Sequence, residues 1–190
     1  MYFPPNFLAN TQSLKHDILV CIEKDIIKYL KLGKILLCGD FNARISNTPD
    51  YIVDDSNQYI PIHSDYLIDK ALLQRKNQDK ILDARGKDLL DLCISNQLRV
   101  LNGRVLGAMF GSYTCDTPNG TCTVDYVLVS ESILDQILYF RVSNFIPTLS
   151  DTHCKLEWGL LAKYKQENIS YDNILHPMSP NYIGVMFALQ

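Results

Sequence analysis

A carboxylate closes three separate apolar runs of this chain, at Gly39-Asp40-Phe41-Asn42, at Val124-Asp125-Tyr126 and at Ser150-Asp151-Thr152-His153, the last with a histidine two residues on. Placing an ionised side chain against buried strands is costly unless it is paired or used. Strand ends are also where α/β folds gather their sites, so the pattern constrains both the fold and its chemistry. A strand-end carboxylate can hold a divalent cation or take a proton from water. A neighbouring amide can orient that water, and a carboxylate-steered imidazole can stabilise charge on phosphorus. Together these groups are the equipment for cutting a phosphate ester with a metal ion.

Periodicity supplies the frame around the three clusters. A first helix is expected after Thr11 or Ser13, with Leu14, Ile18, Cys21, Ile22 and Tyr29 on one stripe, ending at Gly33. Lys34 to Cys38 reads as a strand buried on both faces that delivers Asp40 and Asn42 to its exit. From Ile45 to Ala84 no period persists, so a long irregular insertion is expected, with a short helix near Tyr66 to Leu73. Leu90, Cys93, Ile94 and Leu98 mark an amphipathic helix from Lys87 to Leu98, followed by a strand from Arg99 to Leu101. Ser112 to Cys115 and Thr123 to Val129 read as a hairpin turned at Thr117-Pro118-Asn119-Gly120. A helix from Glu131 to Ile137, a strand from Leu138 to Val142 and a last strand from Cys154 to Trp158 complete the unit. Beyond Gly159 the pattern decays, so residues 1–160 read as the domain and 161–190 as a tail or linker.

At 190 residues and 47% hydrophobic, the chain can bury a sizeable core. Its formal charge of -3 argues against a broadly basic nucleic-acid coat but not against a nuclease, which must also gather carboxylates. Local cations such as Arg44, Arg85 and Arg104 are candidates to meet phosphate. The six cysteines form no close Cys-x-x-Cys pair and read as buried free thiols. No apolar segment approaches the ~20 residues needed to span a bilayer.

Each cluster admits a plainer reading beside the chemical one. Asp40 and Asn42 suit a turn after a strand as well as they suit the positioning and deprotonation of water. Asp125 interrupts an apolar run and needs a partner, either a histidine or the backbone of a sheet edge. Thr152 separates Asp151 from His153, and one residue reverses side-chain direction on a strand, so either a bulge compensates or Asp151 points elsewhere.

The order of these clusters resembles the endonuclease/exonuclease/phosphatase superfamily. From Lys34 to Trp158, the text Gly39-Asp40-Phe41-Asn42-Ala43-Arg44, Arg85-Gly86-Lys87-Asp88-Leu89-Leu90-Asp91-Leu92, Val100-Leu101-Asn102-Gly103-Arg104 and Thr123-Val124-Asp125-Tyr126-Val127-Leu128 is similar to the apurinic-type endonuclease domain of non-LTR retrotransposons. The resemblance implies a two-sheet α/β sandwich, magnesium (or manganese) as cofactor and DNA as substrate. It implies a reverse transcriptase domain in a longer polyprotein, and a nuclear setting. It assigns water activation and orientation to Asp40 and Asn42, with Asp40 close to the metal. Asp125 would orient His153 and favour its protonated form, His153 would contact phosphate, and Asp151 would be a metal or outer ligand. Tyr2 and Asn6 resemble a phosphate-contacting tyrosine and a substrate-side asparagine, although they suit a frayed terminus equally. The family's first half supplies an asparagine and a metal-binding glutamate from early strands. Here the text begins at a segment resembling mid-domain, so the expectation is the C-terminal part of such a domain, with weak or no activity on its own.

Overall fold

The computed structural model describes residues 11–52 and 74–161, with side chains from residue 18 onward. Tyr2, Asn6, the expected helix at residues 66–73 and nearly all of the 161–190 tail lie outside the described residues. Helix α1 spans Thr11–Leu30, and the amides of Leu32 and Gly33 close its end on the carbonyl of Tyr29. Ile22 and Ile26 are buried on its inner face, with Ile18, Leu19 and Tyr29 packed alongside. Cys21, expected on that stripe, is exposed. The inner face continues through Ile26 instead, one turn beyond Ile22.

A three-stranded antiparallel sheet forms the centre, in the order β1 (Leu36–Asp40), β5 (Asp125–Ser130) and β2 (Leu98–Val100). Side chains alternate across a strand, and here both faces are covered. Leu37, Val100, Tyr126 and Leu128 join α1 and helix α2 (Ala84–Ser95) in one core cluster. Cys38, Val127 and Val129 join Leu134, Ile137 and Phe140 in the other. That second face is closed by the antiparallel pair β6 (Ile137–Val142) and β7 (Leu156–Leu160). The architecture is mixed α/β with antiparallel sheets.

Several elements differ from the periodicity reading. Helix α2 starts at Ala84 rather than Lys87 because the Asp83 carboxylate caps it, accepting from the Gly86 amide at 2.6 Å. It stops before Leu98 because Gln97 turns into the left-handed region (φ 51°). The hairpin is shorter than expected, pairing β3 (Cys115–Thr117) with β4 (Gly120–Cys122). Thr123 and Val124 leave it and β5 pairs with β1 and β2 instead, since six consecutive buried residues belong in the central sheet. Finally, Glu131–Gln136 winds as a 3₁₀ rather than an α-helix.

The described parts of the Ile45–Ala84 stretch are irregular but not loose. Ile45 bridges Leu82, and Asp50, Arg75, Asn77 and Asp79 are all buried. No helix among the described residues is long and apolar enough to cross a membrane.

Candidate active site

The pairing of β1 with β5 places Asp40 directly opposite Asp125. Like charges directly opposite in an antiparallel pair repel, and both residues are buried. Two devices answer the conflict. His153 lays its Nδ1 against both Asp125 carboxylate oxygens, at 3.1 and 3.0 Å. Asp40 titrates high, its pKa pushed up to about 6 first by burial, against the lowering pull of the Asn42 amide, with the Asp125 charge adding to the rise.

Local structure fixes each group. Asn42 adopts a left-handed backbone (φ 46°), which asparagine tolerates better than most residues. That turn folds its amide N–H onto Asp40 Oδ1 at 2.8 Å and its side-chain Nδ2 onto Oδ2 at 3.0 Å. The turn is held from outside by the Tyr126 hydroxyl, which donates to the Ala43 carbonyl at 2.8 Å. Arg85 Nη1 reaches the Asn42 carbonyl at 3.4 Å. Gly86 makes this approach possible, because a Cβ there would meet the Arg44 carbonyl oxygen at 2.0 Å. The glycine of the Arg85-Gly86 motif therefore seats α2 against the Asp40 turn.

Asp125 and His153 share a second frame built on Thr114. The Thr114 hydroxyl accepts the amides of Val124 and Asp125, at 3.1 and 3.0 Å. Its carbonyl accepts the Cys154 amide at 2.8 Å, and the Asp116 amide donates to Thr152 at 2.7 Å. His153 is thus bridged to Cys115. Ser150 Oγ accepts the amides of Thr152 and His153, closing the turn that leads into the histidine. Asp125 raises the pKa of His153 through this bond, against the lowering effect of partial burial.

His153 Nε2 then faces Asp40 Oδ2 at 4.0 Å. The ligand atoms of Asp40, Asp125 and His153 all lie within 4.8 Å of one another, a set that could hold a metal ion. Two carboxylates and an imidazole suit a divalent cation, with oxygen donors for a hard ion and nitrogen for a softer one.

Not every expected residue arrives. Asp151 is exposed and does not belong to the cluster among the described residues. The extra residue Thr152 turns its carbonyl to the Asp116 amide, so the strand-like pairing starts only at His153. Arg104 is not a phosphate contact either. It is buried in the core, bonded to Asp50 and to the Val100 carbonyl. Arg44 forks onto Asp79 with two contacts of 2.7 Å. Thr114 and Ser150 carry positioning roles that the sequence did not reveal, since a threonine or serine before a turn looks like any loop hydroxyl.

No protein-family model matches this chain, and no curated protein or solved structure matches it.

Proposed function

We propose that this chain carries the catalytic cluster of a metal-dependent phosphodiester hydrolase, a DNA endonuclease of the retrotransposon type. The observation that supports it most is the opposed pair Asp40 and Asp125 with His153 seated between their carboxylates. A structural ion pair would need one carboxylate; here two are held together beside a half-buried imidazole at a strand end. Asp40, with a pKa of about 6, gains and loses its proton close to neutrality, which suits a general base acting on water. Asn42 fixes the direction of that carboxylate through two hydrogen bonds. Asp125 sets the imidazole's tautomer and favours its charged form, so that His153 can stabilise negative charge growing on a phosphoryl oxygen. Magnesium, or manganese, would be held through Asp40 and Asp125 and would supply Lewis acidity toward phosphate. DNA as the substrate rests on the motif resemblance from Lys34 to Trp158.

The test has two arms. Manganese titrated into the chain should broaden the His153 and Asp125 resonances first, and Asp40→Ala should remove that effect. The same protein is assayed on supercoiled plasmid with magnesium and with chelator, and whatever metal-dependent nicking it retains should be lost in Asp40→Ala and His153→Ala. A folded chain whose cluster takes up no divalent ion overturns the hydrolase reading, whereas metal uptake without nicking leaves a binding module. Abasic DNA and an inositol phosphate run beside plain plasmid separate the endonuclease from repair and phosphatase activities.

A further inference from the structure

Cys115 and Cys122 stand directly opposite each other across β3 and β4. Both thiols are free, and they interact, Cys122 raising the Cys115 pKa and Cys115 lowering that of Cys122. Directly opposed residues of an antiparallel pair hold their Cβ atoms about 4.5–5.5 Å apart, and a disulfide needs about 3.5–4.5 Å. The closing movement is small. The hairpin tip can absorb it, since Pro118, Asn119, Gly120 and Thr121 are exposed and nothing lies within 4 Å of a Cβ built on Gly120. The other four cysteines have no such placement: Cys38 and Cys93 are sealed in the core, Cys21 lies exposed on α1, and Cys154 is half-buried beside His153.

We propose that Cys115 and Cys122 are a reversible disulfide site, formed by exchange with a low-molecular-weight disulfide such as oxidised glutathione. Cys122 is the entry point. It is the more accessible of the two, and its interaction with Cys115 lowers its pKa, against its burial, with Arg44 nearby adding to the effect. Its thiolate attacks one sulfur of the small disulfide, forming a mixed disulfide and expelling one thiolate. Cys115 then gives up its proton and attacks the Cys122 sulfur, expelling the second thiolate. Two protein thiols become one disulfide, and the two electrons and two protons leave on the small thiols.

The bond would act on the backbone that frames His153. Cys115 lies between Thr114, whose carbonyl holds the Cys154 amide, and Asp116, whose amide holds the Thr152 carbonyl. Tying Cys115 to Cys122 restrains that strand, and with it the two hydrogen bonds that seat the histidine. This inference does not depend on the chemistry assigned to the cluster.

Trypsin cuts after Arg104 and Arg141, and the peptide 105–141 contains Cys115 and Cys122 and no other cysteine. The full chain is equilibrated without oxygen in graded mixtures of reduced and oxidised glutathione, alkylated and digested. Peptide 105–141 should become lighter by two hydrogens and lose both alkylation sites together, ahead of modification at Cys154. Cys115→Ser should instead carry stable glutathione on Cys122, and Cys122→Ser, which changes only the half-buried member, should keep Cys115 reduced. In the oxidised protein, hydrogen exchange at the Asp116 and Cys154 amides should slow. The proposal is overturned if both thiols stay alkylatable while exposed Cys21 is glutathionylated, if wild-type Cys122 keeps its glutathione, or if Cys115 crosslinks to Cys154. Unchanged exchange at Asp116 and Cys154 would overturn the link to the histidine.

Discussion

Two groups of buried charge among the described residues, one around Asp50 and one around Asp40, solve the same problem in opposite ways. Asp50 is fully enclosed, and every exit for its charge is filled. Arg104 meets it from one side with Nη1 at 2.8 Å, the Val100 amide donates at 2.8 Å, and Arg99 binds its backbone carbonyl at 3.0 Å. Burial works to raise the Asp50 pKa, but Arg104, with the Val100 amide and Arg75, outweighs it and the carboxyl stays below its usual range. Around Asp40, a second carboxylate stands opposite rather than a guanidinium, and the nearest imidazole is shared and 38% exposed. The first arrangement uses charge to lock a loop onto strand β2. The second sets two carboxylates against one shared imidazole at a strand end, with Arg85 close enough to pull the Asp40 pKa down only in part, a condition for binding a cation or moving a proton and a drawback for stability.

The largest expected effect tests the locked side. Arg104→Met strands Asp50 in the core, and removal of one member of a buried pair typically destabilises by about 3–5 kcal/mol. Urea unfolding should show that loss as a lower midpoint, by the free-energy change divided by the slope, with the slope itself unchanged. A loss below about 1 kcal/mol would mean that Arg75 or water reaches Asp50 and that the enclosure is not what holds the loop.

Asp40→Asn tests the other side and should move stability the opposite way. The Asp40 pKa is about 6 in the fold against an ordinary 3.8, so its protonated form is the stabilising one. Its contribution is complete below 3.8 and is lost as the pH rises through about 6. A neutral amide of the same shape removes that loss. Metal-free Asp40→Asn should therefore be more stable than the wild type by up to about 3 kcal/mol at about pH 8, and the gain should vanish near pH 4. Whatever metal-dependent nicking the chain retains should fall by about 10²–10⁴-fold in the same variant. A variant destabilised at high pH would show that the two Asn42 hydrogen bonds, not relief of charge, dominate at this position.

Arg44 sits between these extremes, because its fork on Asp79 is buried at the carboxylate end and 28% exposed at the guanidinium. Arg44→Lys keeps the charge and loses the two-point geometry, for an expected cost of about 0.5–1 kcal/mol in the same unfolding experiment. A cost like that of Arg104→Met would place Asp79 in the locked class.

The contrast between the two groups also marks what the sequence could and could not reveal. Asp40 and Asp125 were legible because a carboxylate that closes or interrupts an apolar run must have a reason, and Asn42 and His153 because each lies two residues from such a carboxylate. Their convergence was not legible, since the register that sets Asp40 against Asp125 is a long-range pairing between residues far apart in sequence. The Asp50 group was missed for the same reason. Asp50 stands in an aperiodic stretch that reads as a long irregular insertion, and Arg104 in a motif that invited a phosphate role. Only the tertiary fold brings them together. The elements themselves were largely evident from periodicity, and the hairpin was misjudged where a continuous β-rich run crosses from one sheet to another at Thr123 and Val124.

The smallest expected effect separates the two explanations for His153, a member of a working pair or a surface histidine beside a carboxylate. Asp125 holds the imidazole pKa above 6.5. A raised histidine contributes stability that is complete below its unfolded value and is lost as the pH climbs through its folded one. Thermal melts of the metal-free chain should therefore decline above about pH 6.5, beyond the decline due to Asp40. His153→Gln should flatten that part of the curve, and so should Asp125→Asn, because the bond to Asp125 is the first cause of the shift. The partial exposure of the ring makes the slope shallow, so the comparison is read between variants and not from the wild-type curve alone. If Asp125→Asn leaves the slope in place while His153→Gln removes it, the imidazole answers to Asp40 instead. The cluster would then be a single Asp40–His153 pair with Asp125 as its scaffold.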